Sequence, residues 1–219
     1  MSTLDPAGPH AASIADLWWV MLYGAVILFA LVFGLLAFAF LRPGIGRRAP
    51  PSLWLVGGGL VLPAVVLTPL MIYALWTGER LLFRPADSAV TQVEVTARQW
   101  EWAFAYRRPD GSTHRSVNVL HIPAGQPVRL SITSSDVIHS FWVPRLAGKI
   151  DAIPGHVTVL RLSADAPGMY RGLCAEFCGS AHFEMQMAVQ AHASLADYEA
   201  AIAALPPVAT LDGHAGARP

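Results

Sequence analysis

A short stretch near the end of the chain concentrates side chains that bind soft metal ions. Residues 173–187 read L-C-A-E-F-C-G-S-A-H-F-E-M-Q-M and place Cys174, Cys178, His182 and Met185 close together in sequence. Thiolate, imidazole and thioether are the ligands that copper sites prefer, whereas hard cations require carboxylates and other oxygen ligands. The stretch therefore predicts a copper site.

Two other interpretations of the cysteine pair stay open at this point. Two cysteines four residues apart can form a disulfide that closes a tight loop in an oxidising compartment. Four soft groups can also form a structural zinc site, although zinc favours Cys and His alone. Neither interpretation explains a methionine three residues after the histidine, so copper is preferred.

A single loop rarely supplies all the ligands of a copper site, so a further ligand is expected from elsewhere in the chain. The sequence contains eight histidines that could provide it. His139, in S-S-D-V-I-H-S-F-W-V-P, ends a predicted strand and precedes a turn, where loops commonly carry binding groups. We therefore pair it with His182. The other histidines are expected to be solvated or hydrogen-bonded surface groups: His10, His114, His121, His156, His192 and His214.

The composition indicates a membrane protein with an outer domain. Hydrophobic residues make up 54% of the chain and charged residues only 14%, against about 25% charged in a typical soluble domain. Lys and Arg together number 15, as do Asp and Glu, so the charge balance gives no indication of a nucleic-acid partner.

Two uncharged segments predict an N-terminal transmembrane hairpin over residues 1–79. The spans are expected at 17–41 and 53–76, because about 20 apolar residues cross a bilayer as a helix. Pro63 and Pro69 should kink the second span unless neighbouring helices compensate. Three arginines in the loop at 42–52 predict that it is cytoplasmic, which leaves both termini and everything from residue 80 onward in the periplasm.

The outer segment, residues 80–205, alternates with the period of β-strands between recurrent Pro and Gly. Val93, Val95 and Ala97 occupy odd-numbered positions, whereas the aromatic residues of the run Trp100–Tyr106 occupy even-numbered positions. This change of register suggests a bulge or crossing near Arg98–Gln99. Asp110-Gly111 predicts a hairpin turn. After His182 the alternation resumes with Phe183, Met185, Met187 and Val189, so the last strand should leave directly from the ligand loop. These features predict a small all-β sandwich or barrel of Greek-key type.

The C-terminal end of the chain is expected to be a short helix followed by a tail. Ser194 can cap a helix that runs through Ala204, with Asp197 in the reciprocal position. The Pro206-Pro207 pair should end it, and residues 206–219 are predicted to be a disordered tail.

The motifs C-A-E-F-C-G-S-A-H-F-E-M, D-V-I-H-S-F-W-V-P and K-I-D-A-I-P-G together resemble subunit II of haem-copper cytochrome c oxidases. The resemblance covers roughly residues 15–190 and implies a cupredoxin-like β-barrel, which makes the chain a membrane-anchored α+β protein. It also implies a binuclear copper centre, CuA. Cys174 and Cys178 would bridge the two ions, His139 and His182 would each bind one, Met185 would be a weak ligand, and Glu176 would bind through its backbone carbonyl.

The resemblance further implies roles at the edge of the centre. The Glu176 carboxylate would face a magnesium ion at the junction with subunit I, where a hard cation suits an acid. In Q-W-E-W-A-F-A-Y, Trp100 would receive electrons from cytochrome c, with Trp102 two residues on, although such aromatic stripes also serve as core packing. Asp136 matches an acid near the surface on which the family docks its electron donor. Without the resemblance, an acid shortly before a histidine would be interpreted as an ordinary turn residue.

By this resemblance the chain is a subunit of a proton-translocating oxidoreductase of the inner membrane. It would accept electrons from cytochrome c and pass them to haem in subunit I, where oxygen is reduced, with subunit III as a further partner. Two departures stand out. Val56 occupies the position where the family usually has a proton-loading Glu, and the segment from residue 90 carries eleven acids against ten Lys or Arg, so it lacks a strong acidic field for a basic donor.

Several alternative functions share parts of this pattern. Quinol-oxidising relatives keep the fold but lose the copper ligands, all of which are retained here. Nitrous-oxide reductase also uses a CuA domain, beside a large catalytic domain that these 219 residues do not contain. A nitric-oxide reductase subunit with CuA and a membrane-tethered copper-binding or copper-delivery module remain the alternatives to the oxidase.

Overall fold

The computed structural model of the chain describes residues 2–42, 44, 50–81 and 91–208. Most of the predicted arginine loop, the segment at 82–90 and the tail at 209–219 lie outside the described residues, so the predictions made for them stay predictions. Contacts divide the chain into two units, one made of residues 13–82 and the other of residues 1–12 together with 83–219.

The N-terminal part is helical and apolar, as predicted. Helix α1 spans Pro9–Leu41, a π-helical stretch spans Leu53–Val61, and α2 spans Leu62–Leu81. The two helical segments are long and apolar enough to cross a membrane. No residue in the most apolar window of either segment is buried, whereas the core helix of a soluble protein would be mostly buried.

The second helical segment changes its hydrogen bonding where the prolines occur. In the π-helical stretch the Leu62 N–H donates to the carbonyl of Gly57, five residues back, just before Pro63. A proline has no N–H to donate, so a helix is commonly irregular at such a position. Pro69 lies inside α2.

The outer domain consists of two five-stranded sheets. Its strands are β1 Thr91–Arg98, β2 Glu101–Arg107, β3 Thr113–Val117, β4 Val119–Pro123, β5 Val128–Ser134, β6 His139–Trp142, β7 Ile150–Ala152, β8 Thr158–Leu162, β9 Gly168–Cys174 and β10 Gln186–His192. The strand orders are β3-β2-β1-β5-β8 in one sheet and β4-β10-β9-β6-β7 in the other. β1 runs parallel to β5, and β4 runs parallel to β10. The predicted all-β sandwich is confirmed.

The core between the sheets follows the alternation read from the sequence. Val93, Val95 and Ala97 of β1 are buried, and so are Val128, Leu130 and Ile132 of β5. Because successive side chains of a strand point to opposite faces, this pattern leaves one face of the sheet to solvent. The largest core side chains are aromatic: Trp102, Phe104, Tyr106 and Phe141.

The predicted bulge or crossing near Arg98–Gln99 is wrong. β1 and β2 form an antiparallel hairpin with Arg98 opposite Glu101, and Gln99 and Trp100 form its turn. The change of parity in the aromatic run therefore marks a reversal of the chain. Asp110 and Gly111 form a turn between β2 and β3 as predicted, and Gly111 takes a positive φ of 85°.

An N-terminal strap, residues 5–12, packs on the outer domain. The Ala7 N–H donates to the carbonyl of Arg145, and the Ala7 carbonyl accepts from the Asp165 N–H. The Arg145 guanidinium pairs with the Asp5 carboxylate at 2.9 Å. These contacts explain why the strap belongs to the outer domain, although the sequence assigned it to the transmembrane unit.

The C-terminal helix α3, Leu195–Ala204, confirms the predicted cap: the Ser194 hydroxyl accepts from the Asp197 N–H and donates to the Asp197 carboxylate. Beyond it the chain continues along β3, where the Val208 N–H donates to the Thr113 carbonyl. Residues 206–208 are thus part of the domain, because they exchange backbone hydrogen bonds with the edge strand β3.

Candidate metal centre

The predicted ligands lie on two loops that the β-sheet brings together. β9 ends at Cys174 and β10 begins at Gln186, so the intervening loop carries most of the donors. His139 begins β6, which pairs with β9 so that Phe141 lies opposite Cys174. The Ala175 N–H also donates to the Ser140 carbonyl at 2.8 Å. Sheet pairing therefore places a histidine from one loop beside Cys174, which follows it by 35 residues in the sequence.

Both cysteine sulfurs lie at the centre of the donor cluster. The Cys174 and Cys178 Sγ atoms are 3.8 Å apart, and both thiols are free and buried. Cys174 Sγ lies 3.9 Å from His139 Nδ1 and 3.2 Å from the Glu176 carbonyl oxygen. Cys178 Sγ lies 3.5 Å from His182 Nδ1. In this structure the pair is not a disulfide.

Met185 joins the same cluster from the far end of the loop. Its Sδ atom lies 3.1 Å from His139 Nδ1 and 3.8 Å from Cys178 Sγ, and the side chain is buried. A short 3₁₀ turn, His182–Glu184, carries the chain from one ligand to the next. Phe183, which the sequence pattern placed in alternation with Met185, is instead 75% exposed because it falls in this turn and not on β10.

These spacings fit donor atoms that share a metal ion. Sulfur and nitrogen ligands at their usual bond lengths around a tetrahedral ion stand roughly 3.3–3.8 Å from one another. The observed separations between thiols, imidazoles and thioether run from 3.1 to 3.9 Å. Three of these residues, His139, Cys174 and Cys178, form a compact buried group that could hold a metal ion. The donor set is soft, and its buried thioether favours copper over zinc.

The cysteine environment calls for a positive charge. Burial, together with the adjacent Cys174 thiol, raises the pKa of the Cys178 thiol to about 12. A buried thiolate is unfavourable without a compensating positive charge, which a bound metal ion would supply by coordinating the deprotonated sulfur.

Asp136 is held against a predicted ligand. Its Oδ1 atom lies 2.8 Å from His139 Nε2, and its Oδ2 atom accepts the Gln99 N–H at 2.7 Å. Partial burial alone would raise the pKa of the Asp136 carboxyl, but hydrogen bonds from Gln99, His139, Val137 and Ser134 outweigh it and lower the pKa to about 2. The carboxylate is therefore ionised at neutral pH and serves as the hydrogen-bond acceptor facing His139 Nε2.

Trp100 and Trp102 occupy different environments. Trp100, in the β1–β2 turn, is 37% exposed. A methyl group placed on Gly179 would lie 3.3 Å from Trp100 Cζ2, so the indole lies beside the residue that follows Cys178. Trp102 is completely buried and contacts the His139 ring edge-on, with ring centroids 6.2 Å apart.

Three of the histidines expected at the surface are packed into the domain. His114 is buried and its Nδ1 atom lies 2.8 Å from the Leu205 carbonyl. His121 and His192 stack on each other, with a ring nitrogen of each 2.9 Å apart. β4 and β10 are neighbours in the sheet, and sequence alone gave no sign of that pairing.

Comparisons with known proteins show which chains this protein resembles. The family model described as cytochrome c oxidase subunit II, periplasmic domain, matches residues 111–192. Quinol oxidase subunit 2 of Bacillus cereus is 30% identical over 209 residues, covering 87% of this chain and 68% of the relative. Cytochrome c oxidase subunit 2 of Alkalihalophilus pseudofirmus is 33% identical over 193 residues, covering 83% of this chain and 56% of the relative.

The chain belongs to the subunit II family of haem-copper oxidases. The resemblance read from the sequence is thus confirmed. A solved structure of the periplasmic domain of subunit II of cytochrome oxidase from Bradyrhizobium japonicum is 28% identical, with a TM-score of 0.49, and covers 52% of this chain and 92% of that one.

Membership of the subunit II family leaves the electron donor open, because relatives named as cytochrome c oxidase and as quinol oxidase subunits both match. The chain spans 56% and 60% of the length of the first two curated relatives. Family membership therefore does not by itself assign the activity of those whole proteins to this chain. The family identifies the matched segment as a periplasmic domain, which agrees with an outer domain carried by two apolar helices.

The sequence located the donors but missed the residue that connects their loops. Gln99 donates from its backbone to Asp136 and from its side chain to the Cys178 carbonyl, at 2.7 Å in each case. Its only sequence signal is its position before Trp100, because the contact with Cys178 joins residues 79 positions apart.

Proposed function

We propose that this chain is the electron-accepting subunit of a haem-copper cytochrome c oxidase and that its donor cluster holds a binuclear copper centre. The convergence of two thiols, two imidazoles, a thioether and a carbonyl oxygen in one cluster supports the proposal. When bound, the copper pair would take up and release one electron at a time, shared through the bridging thiolates.

The arrangement of the side chains suggests how the ligands divide. Cys174 and Cys178 stand between the other donors, so we assign them as bridging ligands. His139 Nδ1 lies closest to Met185 Sδ, and we assign both to one ion. His182, beside Cys178, and the carbonyl of Glu176, beside Cys174, then serve the second ion.

Trp100 is the residue we assign to receiving electrons from the donor. Its indole is partly exposed and lies beside Gly179, so it connects the surface to the backbone next to a bridging thiolate. Trp102 is sealed in the core and contacts His139. We therefore assign Trp102 to packing around that ligand and not to direct contact with a donor.

The remaining assignments concern the complex. We propose that the apolar helices form a two-span anchor, with both termini and the copper domain on the periplasmic side, and that subunit I receives the electrons for oxygen reduction, with subunit III as a further partner. The exposed side chain of Glu176 is free to bind magnesium at the subunit I junction while its carbonyl faces Cys174.

A quinol oxidase subunit is the second candidate, because a relative with that name covers most of this chain. It is disfavoured by retention of the complete donor set, since the resemblance leads us to expect quinol-oxidising members to lose the copper ligands. Reduction of the purified chain by a soluble cytochrome c, compared with reduction by a quinol, separates the two candidates.

Cys178→Ser in the full-length chain tests the centre itself. We expect the variant to lose the signal of a copper pair, because one bridging thiolate is removed, whereas Ser180→Ala, an exposed position in the same loop, keeps it. Copper-to-protein ratio and electron paramagnetic resonance report the result. A native two-copper signal in Cys178→Ser would reject the proposed centre.

A further inference from the structure

Two histidines meet at the end of β10 that lies farthest from the donor cluster. His121 of β4 and His192 of β10 lie on neighbouring parallel strands, with Gln190 opposite His121 in the register. The two rings stack with 20° between their planes, and His121 Nδ1 lies 2.9 Å from His192 Nε2. The sheet therefore brings two nitrogen atoms that can bind a metal ion together outside the proposed copper centre.

We propose that His121 and His192 form a second metal site, which binds one divalent transition-metal ion, copper(II) best, through His121 Nδ1 and His192 Nε2. The seven residues of β10 separate the last predicted donor, Met185, from this site. A strand rises about 3.3 Å per residue, so the two sites lie about 20 Å apart. The inference therefore does not depend on the binuclear centre.

The separation of the two nitrogens fits adjacent ligands of one ion. Bonds from a metal ion to imidazole are about 2.0 to 2.1 Å long, so two ligands at a right angle lie about 2.9 Å apart, and two at a tetrahedral angle about 3.3 Å apart. The observed distance of 2.9 Å matches the right angle. Square-planar nitrogen ligation is typical of copper(II) and nickel(II), and copper(II) binds such ligands more tightly.

Both histidines are held in place by the surrounding domain. The His121 N–H donates to Tyr106 Oη at 2.8 Å, and the His192 carbonyl accepts from the Ala124 N–H at 2.9 Å. The Tyr106 ring contacts the His121 ring edge-on, and the Tyr198 ring contacts the His192 ring in the same way. Ligands that are already positioned lose little conformational freedom on binding, which favours affinity.

The charge state of the pair suits a cation. Burial lowers the pKa values of His121 and His192, so both imidazoles are neutral at pH 7, as metal ligands must be. The Asp197 carboxylate opposes this shift at His192, so it favours a positive charge there. Burial raises the pKa of Tyr198 to about 12, and its phenol therefore stays neutral. Both imidazoles are half-buried, so an ion can reach them from solvent.

Binding changes only the position of one hydrogen atom. Without an ion, one of the two facing nitrogens must carry a hydrogen and donate it to the other, because two lone pairs at 2.9 Å repel each other. When an ion accepts both lone pairs, exchange with water moves that hydrogen to the second nitrogen of the same ring. Each imidazole stays neutral, and no net proton is released.

The test uses the full-length chain in detergent, without a polyhistidine tag, after copper loading and a wash with a chelator. Because the histidine pair supplies only two ligands, the wash should empty it and leave the copper of the binuclear centre. Copper(II) is then added, and its binding is followed by calorimetry and electron paramagnetic resonance. We expect one further ion per chain, with the spectrum of a single copper nucleus bound by nitrogen, beside an unchanged signal from the centre.

Three variants assign the further ion to the pair. His121→Gln and His192→Gln should each weaken its binding at least about tenfold, because even the loss of an outer-shell partner of a metal ligand costs about 10- to 100-fold. The double variant should lose less affinity than the product of the two single losses, since both residues bind the same ion.

The matched control is His156→Gln, which removes an exposed histidine elsewhere in the domain and should leave the affinity unchanged. The signal of the binuclear centre reports that each variant is folded. In the wild-type chain, pulsed measurement of the nitrogen couplings counts the imidazoles on the added ion, so the assignment does not depend on the folding of any variant.

Either of two results would overturn the inference. One is a chain with a filled centre that takes up no further copper, and the other is a further ion that both histidine variants bind as tightly as the wild type. A chain that forms no binuclear centre, yet binds one copper ion that His121→Gln and His192→Gln both lose, would reject the proposed function and support the second site.

Discussion

Gly179→Ala should weaken the metal centre through a single added methyl group. Gly179 takes a φ of 126°, in the region that favours glycine, and directly follows Cys178. The new Cβ atom would lie 2.9 Å from Gln99 Nε2 and 3.3 Å from Trp100 Cζ2. The substitution therefore strains the backbone and displaces the amide that holds the Cys178 carbonyl.

Gly111→Ala separates these two effects. Gly111 has a φ of 85° but nothing within 4 Å of an added Cβ, so it reports the backbone strain alone. That strain costs about 1 to 3 kcal/mol at each site. Gly179→Ala should cost about 1 kcal/mol more, because it also disrupts the hydrogen bond to the Cys178 carbonyl.

The free energy of unfolding is measured by denaturant titration of both variants in detergent, and copper affinity by competition with a chelator. Only Gly179→Ala should lower copper affinity, since only this position adjoins the ligands. Equal destabilisation of the two variants, with equal copper affinity, would show that Gln99 does not brace the cysteine loop.

Three further predictions concern the rest of the outer domain. Burial lowers the pKa values of His121 and His192, so the unfolded chain binds protons more readily, and stability should fall as the pH drops from about 6.5 through the lower folded values. In denaturant titrations between pH 7 and 5, the free energy of unfolding should depend less on pH in His192→Gln than in the wild type. An equal pH dependence would show that burial of His192 is not its cause. Gly8→Ala should destabilise the domain by about 1–3 kcal/mol, because the methyl group would overlap the Ser163 carbonyl under the strap, and a wild-type unfolding midpoint would show that the strap is not docked. Trp100→Ala should slow reduction by cytochrome c without changing the copper absorption, and an unaltered rate would return Trp100 to a packing role.

Local sequence signals predicted the strands well, and the side chains proposed as metal ligands come together in the fold. The alternation of Val93, Val95 and Ala97 is visible because one face of β1 is buried. Four of the donor residues lie within one loop, so their spacing is readable without knowledge of the fold. The cap at Ser194 depends on a residue three positions away and was equally readable.

Long-range contacts explain what the sequence did not reveal. The link from Gln99 to Cys178 and the docking of Asp5 on Arg145 join segments with no shared local pattern. Asp136 looked like a surface acid, since nothing nearby in the sequence shows that the backbone N–H of Gln99 occupies it. The turn at Gln99–Trp100 lacks the usual Asn-Gly or Asp-Gly signal, so a bulge was predicted where the chain reverses.

Electron paramagnetic resonance of the full-length chain loaded with copper, combined with copper analysis, tests the proposed centre most directly. We predict two copper ions per chain and hyperfine lines from one electron shared equally by both nuclei, because the two buried thiols lie between the other donors. A single copper with a one-nucleus spectrum, or a chain that binds no copper, would contradict the proposed function.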